Sequence, residues 1–179
     1  LPISNIFHNR EHLSRALAEP LPGAVAHRQI APPGRLNYTI ASDAREAAVL
    51  VLIYPEHERW SCVLIERNAH PLDKHSGQIS FPGGKMESID TSYEACALRE
   101  ANEEVGLDIE LIEVVGHLTP LYIPVSLFQV YPIVAWTDLP LSFEADPSEV
   151  ARIITFPIED ILGPDLILCS DHQVRPGLT

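Results

Sequence analysis

Cysteine is scarce: Cys62, Cys96 and Cys169 are isolated, with no C-x-x-C spacing. So sparse and odd a set supports neither a disulfide framework nor a structural zinc site, and it suits a reducing compartment. Long apolar runs are missing too. The longest wholly apolar stretch, residues 47–54, is far short of the roughly 20 residues that span a bilayer. No signal peptide is visible, so the chain is expected in the cytoplasm. It begins at Leu1 rather than Met, which leaves open what precedes it. Positive charge is thin: 12 Lys and Arg stand against 25 Asp and Glu, a formal net charge of -13. Nucleic acid and anionic membranes need clustered Lys and Arg, so neither is expected as a partner. The same surface would repel a polyphosphate unless cations lay between them, so an acidic protein acting on phosphates should use metal. Acidity is also common among soluble proteins, and alone it selects no function.

What is present is an ordinary globular mixture. Hydrophobic residues make up 46% and charged residues 21% of 179 positions, enough for one domain with a real core. Residues 4–19 carry Ile6, Leu13 and Leu17 at helical spacing, and Pro20 and Pro22 end the run. Residues 20–35, rich in Pro, Gly and Ala, read as a linker or an ordered extended arm, so residues 1–35 form a leading helix and arm before a domain at 36–179. Residues 46–54 and 60–67 read as two strands of a hairpin, followed by a long loop over 68–85 that ends in Phe81, Pro82, Gly83 and Gly84. Residues 91–105 give the clearest helix, with Thr91 and Glu94 as a capping box and Gly106 as the stop. Strands are expected over 111–118, 126–136 and 150–156, a loop over 138–147, a short helix opening at Pro157, and a strand then loop over 165–179. Mixed strands with a few helices predict an α/β or α+β fold.

Glu100, Glu103 and Glu104 crowd the last turns of the clearest helix. Residues three and four apart share a helix face, and like charges there cost roughly 0.2–0.5 kcal/mol per pair. The negative end of the helix dipole disfavours each carboxylate by a further ~0.3–1 kcal/mol. A divalent cation would reverse both signs, and carboxylate oxygens are what Mg²⁺ or Mn²⁺ prefers. Arg99 stands four residues before Glu103 and can hold that carboxylate, which leaves Glu100 and Glu104 best placed for metal. Taken bare, the pattern reads more readily as a solvated acidic face, since charge runs are usually surface. The glycine pair Gly83 and Gly84 upstream changes the balance, because backbone there can approach a ligand closely and a carbonyl can complete an oxygen shell.

At these residues the chain resembles the Nudix hydrolases. Their box runs Gly, five residues, Glu, seven residues, then Arg-Glu-apolar-x-Glu-Glu-x-Gly-apolar. Gly84 opens it here, and Arg99, Glu100, Ala101, Asn102, Glu103, Glu104, Val105, Gly106 and Leu107 close it. The middle departs: the first acid is Asp90, and eight residues separate it from Arg99. Leu64 to Ala69, then Gly77 and Phe81 to Gly84, look like the sequence before the box in the coenzyme A diphosphatase branch, which also tends to carry Asp and one extra residue. That branch expects Arg where this chain has Asp73, with Lys74 adjacent as a substitute.

The resemblance implies an α/β/α sandwich around a mixed sheet, with Glu100, Glu104, Glu103 and the Gly84 carbonyl holding Mg²⁺ or Mn²⁺. A water would attack one phosphorus of a diphosphate, with Glu103 as first candidate for its base and Glu149 as second. Glu149 reads equally as a solvated residue beside a strand. Lys85 would steady charge on phosphate. Arg67, Lys74 and His75 would contact substrate, with Arg67 also open to a surface salt bridge. Cys96 reads as a buried packing residue. Tyr122, Ile123 and Pro124 would shape a substrate pocket or finish a strand. Relatives of this kind commonly form homodimers and continue into another strand and helix, so the chain is expected to stop short of the family's end. The activity implied is hydrolysis of coenzyme A to 3′,5′-ADP and 4′-phosphopantetheine. ADP-ribose or another dinucleotide is the alternative, kept open by Pro124, and a non-catalytic nucleotide-binding module is a further one.

Overall fold

The computed structural model describes residues 9–30, 39–68 and 77–161. Two helices, α1 (Arg10–Ala18) and α2 (Gly23–Ile30), precede a hairpin of β1 (Arg45–Glu56) and β2 (Arg59–Arg67). Two short strands follow, β3 (Ile79–Ser80) and β4 (Gly83–Lys85), and then α3 (Tyr93–Val105). After a 3₁₀ turn at Ile109–Leu111 come β5 (Glu113–His117), β6 (Leu121–Ile123), β7 (Phe128–Trp136), β8 (Val150–Pro157) and α4 (Ile158–Ile161).

All eight strands join one sheet. β1 runs parallel to β7 from Arg45↔Phe128 to Ile53↔Trp136, and every other ladder is antiparallel, which makes the sheet mixed as expected. The hairpin turns at His57 and Glu58, whose φ angles of 48° and 62° match the twist that two-residue turns need. β1 and β2 pair only from Ile53↔Cys62 to Glu56↔Arg59. Beyond that they part, β4 takes the edge of β1 at residues 47–49, and β3 and β8 pair with β2. This parting brings the glycine pair to the middle of the sheet.

Side-chain alternation along β1 divides the core. Ala48, Leu50, Leu52 and Tyr54 point to one face, where they meet Ala97, Ala101 and Val105 of α3. Ile53 points to the other, with Cys62, Val134 and Trp136, and is covered by Leu13 of α1 and Ile158 of α4. Each fully buried Leu or Ile contributes roughly 1.5–3 kcal/mol relative to exposure, so both layers are held by burial. Helices thus cover both faces of the sheet. Gly116, at an irregularity in β5, sits where a Cβ would come within 2.8 Å of Leu17, so α1 docks closely on that strand.

Several sequence expectations need correction. The segment read as a linker contains α2, because Pro22 and Gly23 start a helix rather than prevent one, with the Val25 amide donating to the Pro22 carbonyl. The leading helix is capped by Asn9, whose side chain accepts from the His12 amide; Ile6 lies outside the described residues. The long loop carries β3 and β4, short strands paired to hydrophobic neighbours that no local period reveals. Ser92, not Thr91, caps α3, accepting from the Ala95 amide. Pro157 closes β8, and α4 begins one residue later. Residues 165–179 lie outside the described residues. Among the described residues, no helix is long and apolar enough to cross a membrane.

Candidate active site

Small side chains on α3 decide where its acids land. Cys96, Ala97 and Ala101 are fully buried against the sheet, so the helix backbone lies close to β4 and its longer neighbours project past it. Glu100 packs directly on Gly84, where an added Cβ would sit 2.4 Å from the carboxylate carbon. Any side chain there would force the Glu100 carboxylate to move aside. Glu104 reaches one residue further: its carboxylate accepts from the Gly83 amide at 2.8 Å and lies 3.5 Å from Arg67 at the end of β2. Gly83 has φ 152° and no room for a Cβ, which would fall 2.3 Å from the Ala48 carbonyl.

Arg99 ties the same elements together from beneath. Its guanidinium donates to both oxygens of Asp90 at 2.8 and 2.9 Å, pairs with Glu100 and Glu103 at 2.9 Å each, and reaches the Lys85 carbonyl at 3.3 Å. The side chain of Asp90 is 3% exposed, and its carboxyl is held down at about 2, chiefly by the Arg99 hydrogen bonds against the opposing effect of burial. One extra residue in the box and a side chain one methylene shorter than Glu therefore still give a two-pronged pair.

The electrostatics single out Glu104, which is 2% exposed. Burial pushes its carboxyl up to about 7; the Gly83 amide and Arg67 pull it down, while Glu100 and Glu149 push it further up. The Glu100 carboxyl is raised too, by burial first, with Arg99 opposing and Glu103 and Glu149 adding to the rise. Glu149 comes close because its loop is fastened at three places. The Glu144 and Asp146 amides donate to the Val105 and Glu104 carbonyls at 2.9 and 3.0 Å, and the Asn68 amide donates to the Glu149 carbonyl at 2.8 Å. Asn68 also gives its side-chain amide to the Pro147 carbonyl at 2.7 Å.

Gly84, Glu100, Glu104 and Arg67 thus stand together, with Glu149 near enough for its charge to act on both Glu100 and Glu104. Glu103 is turned onto Arg99 and is 57% exposed. Lys85 is exposed at the end of β4 and contributes its carbonyl to Arg99. Cys96 is buried, its thiol is pushed up to about 11 mainly by burial, and it donates to the Gly84 carbonyl at 3.7 Å. Tyr122 and Ile123 form part of β6. Lys74 and His75 lie outside the described residues. Sequence reading missed the Gly83 amide, Asn68, and the Asp90–Arg99 pair; of these only the last carried a signal, an acid and an arginine framing the box.

The donor chemistry suits a hard divalent cation: Glu100, Glu104 and Glu149 offer oxygen alone, and the lack of a side chain at Gly84 lets the Glu100 carboxylate lie against its backbone. Among the described residues, no three His, Cys, Asp or Glu side chains stand close enough to ligate one ion as they are, so Glu149 or Glu103 would change rotamer to complete the set.

Residues 44–173 match the NUDIX domain, and the chain belongs to the Nudix family. Among curated proteins it is 42% identical over 118 residues to "Uncharacterized Nudix hydrolase NudL" of Citrobacter koseri and 40% identical to the protein of the same name from Enterobacter sp. strain 638, in both cases over 66% of this chain. The chain spans 60% of the length of these relatives. Among solved structures it resembles a C. elegans Ap4A hydrolase binary complex (TM-score 0.55, 18% identity, 66% of this chain and 83% of that one). It also resembles the Nudix domain of Shewanella oneidensis NrtR complexed with ADP ribose (TM-score 0.51, 16% identity, 77% and 85%). At such identities the likeness is one of fold.

Proposed function

We propose that this chain is a metal-dependent hydrolase of a diphosphate bond in a nucleotide derivative, and that coenzyme A is the substrate. The observation that carries the reaction class is the pair Glu100 and Glu104, one half-buried and one buried carboxylate on the same helix face, both raised above their ordinary range. Groups so perturbed in proximity to a cation and a glycine backbone are characteristic of sites that do chemistry. Glu100 and Glu104, with Glu149, would hold Mg²⁺ or Mn²⁺, which supplies neutralisation of charge on the diphosphate oxygens. Arg67 lies on the same side and would bind a phosphate oxygen by charge-assisted hydrogen bonds.

In the reaction, the oxygen of water forms a bond to one phosphorus while that phosphorus's bond to the bridging oxygen breaks, leaving two phosphate products. The water's proton goes to a carboxylate oxygen. Glu149 suits that role better than Glu103, whose carboxylate is already spent on Arg99 and faces solvent. The choice of coenzyme A rests on the pattern from Leu64 to Gly84. ADP-ribose is the second reading, favoured by Pro124 and by the ADP ribose held by the NrtR Nudix domain.

Turnover of coenzyme A and ADP-ribose, measured side by side with Mg²⁺ and then Mn²⁺, decides between them. Faster release of 3′,5′-ADP from coenzyme A is the expected result. Preferential cleavage of ADP-ribose would replace the substrate, and nucleotide binding without turnover of either would replace the activity with a sensor role.

A further inference from the structure

The acid contributed by the downstream turn sits one residue before β8, and two of the contacts that hold that turn come from one residue. Asn68 follows Arg67, where β2 ends. Its backbone amide donates to the Glu149 carbonyl at 2.8 Å, and its side-chain amide donates to the Pro147 carbonyl at 2.7 Å. The two bonds bracket the turn that carries Glu149. From the opposite side, the Asp146 amide is bound to the Glu104 carbonyl at 3.0 Å, and the Asp146 side chain accepts from the Ser148 amide and hydroxyl, each at 2.8 Å. The turn is therefore clamped between the end of α3 and the end of β2. Arg67, one residue before Asn68, lies 3.5 Å from Glu104. Consecutive residues of one strand end thus touch both acids: Arg67 the side chain of Glu104, Asn68 the backbone around Glu149.

From this geometry we infer that Asn68 is a positioning residue, which acts through Glu149 by fixing its turn against the Glu100–Glu104 pair. The inference rests on the metal-binding reading proposed above. The backbone bond survives substitution, but the side-chain bond to Pro147 does not. Without it β2 still holds the C-terminal side of the turn, through the Asn68 amide and the ladder that opens at Arg67↔Val150, but the Pro147 side loses its anchor and the turn can pivot Glu149 away from the pair.

Manganese alone is the probe, titrated by electron paramagnetic resonance into the wild type, Asn68→Ala, Glu149→Gln and the double variant. Loss of one hydrogen bond of this kind corresponds to about a 3- to 10-fold weaker dissociation constant. The expected result is that Asn68→Ala weakens Mn²⁺ binding to that extent with its melting temperature close to wild type, and that it has no further effect once Glu149 is Gln. A purely structural role would give the same loss in both backgrounds. Additive losses, or wild-type affinity in Asn68→Ala, would overturn the positioning role while leaving the metal site standing. If the wild type takes up no Mn²⁺, the metal reading fails and this inference with it.

Discussion

Glu104 holds its carboxylate 2.8 Å from the Gly83 amide in a setting where 2% of the residue is exposed. One amide and an arginine at 3.5 Å do not offset that burial, and the carboxyl stays raised to about 7. A group raised in the folded state stabilises the fold below its unfolded value, near 4.3, and that stability is lost as pH rises through about 7. Metal-free protein should therefore melt at a lower temperature at pH 8 than at pH 5 by a component that belongs to Glu104. Glu104→Gln removes this component, so its metal-free melting temperature at pH 8 should exceed that of the wild type. Its turnover should fall by orders of magnitude. Melting curves in chelator at the two pH values check the sign; a Gln variant less stable than wild type at pH 8 contradicts it.

Gly84→Ala introduces a Cβ 2.4 Å from the Glu100 carboxylate carbon. Glu100 must then leave β4, and turnover should drop at least about 100-fold, the scale on which angstrom-level misplacement acts. Steady-state rates alongside circular dichroism separate this loss from unfolding.

Asp90 behaves oppositely to Glu104. Its carboxyl is depressed to about 2 by Arg99, so its stabilising effect is present above the unfolded value near 3.9 and is lost as pH falls towards 2. Asp90→Asn should cost roughly 1.5–3 kcal/mol at neutral pH, the range for breaking a hydrogen bond to a charged group. The deficit should shrink in melts at pH 2–3.

Two candidate bases can be ranked by kinetics. Glu149→Gln should reduce kcat by about 100- to 10,000-fold, the range of general base catalysis. Glu103→Gln, which loses an exposed ion pair to Arg99, should reduce it by less than about tenfold. A reversal of this order would return the role to Glu103.

Much of this site could be read in the chain because it is local. Glu100 and Glu104 share a helix face by their spacing, and Arg99 reaches Glu103 four residues on, as helix geometry requires. The continuous apolar run over residues 47–54 marked β1 as a strand. Other parts were hidden because they depend on distant partners. β3 and β4 are two and three residues long, too short for any period, and exist only because β1 and β2 part. α2 is led by Pro22 and Gly23, which normally signal a break, and is set against Thr119 far along the chain. Nothing in the neighbourhood of Asn68 suggests that it will meet a turn 79 positions later.

We propose that a divalent cation neutralises Glu100 and the buried Glu104 on α3. Anomalous scattering from a crystal grown with excess Mn²⁺ tests it most directly. A peak between the carboxylates of Glu100 and Glu104 is the expected result. An empty position there, in protein whose hydrolysis of coenzyme A and ADP-ribose is indifferent to chelator, would contradict it.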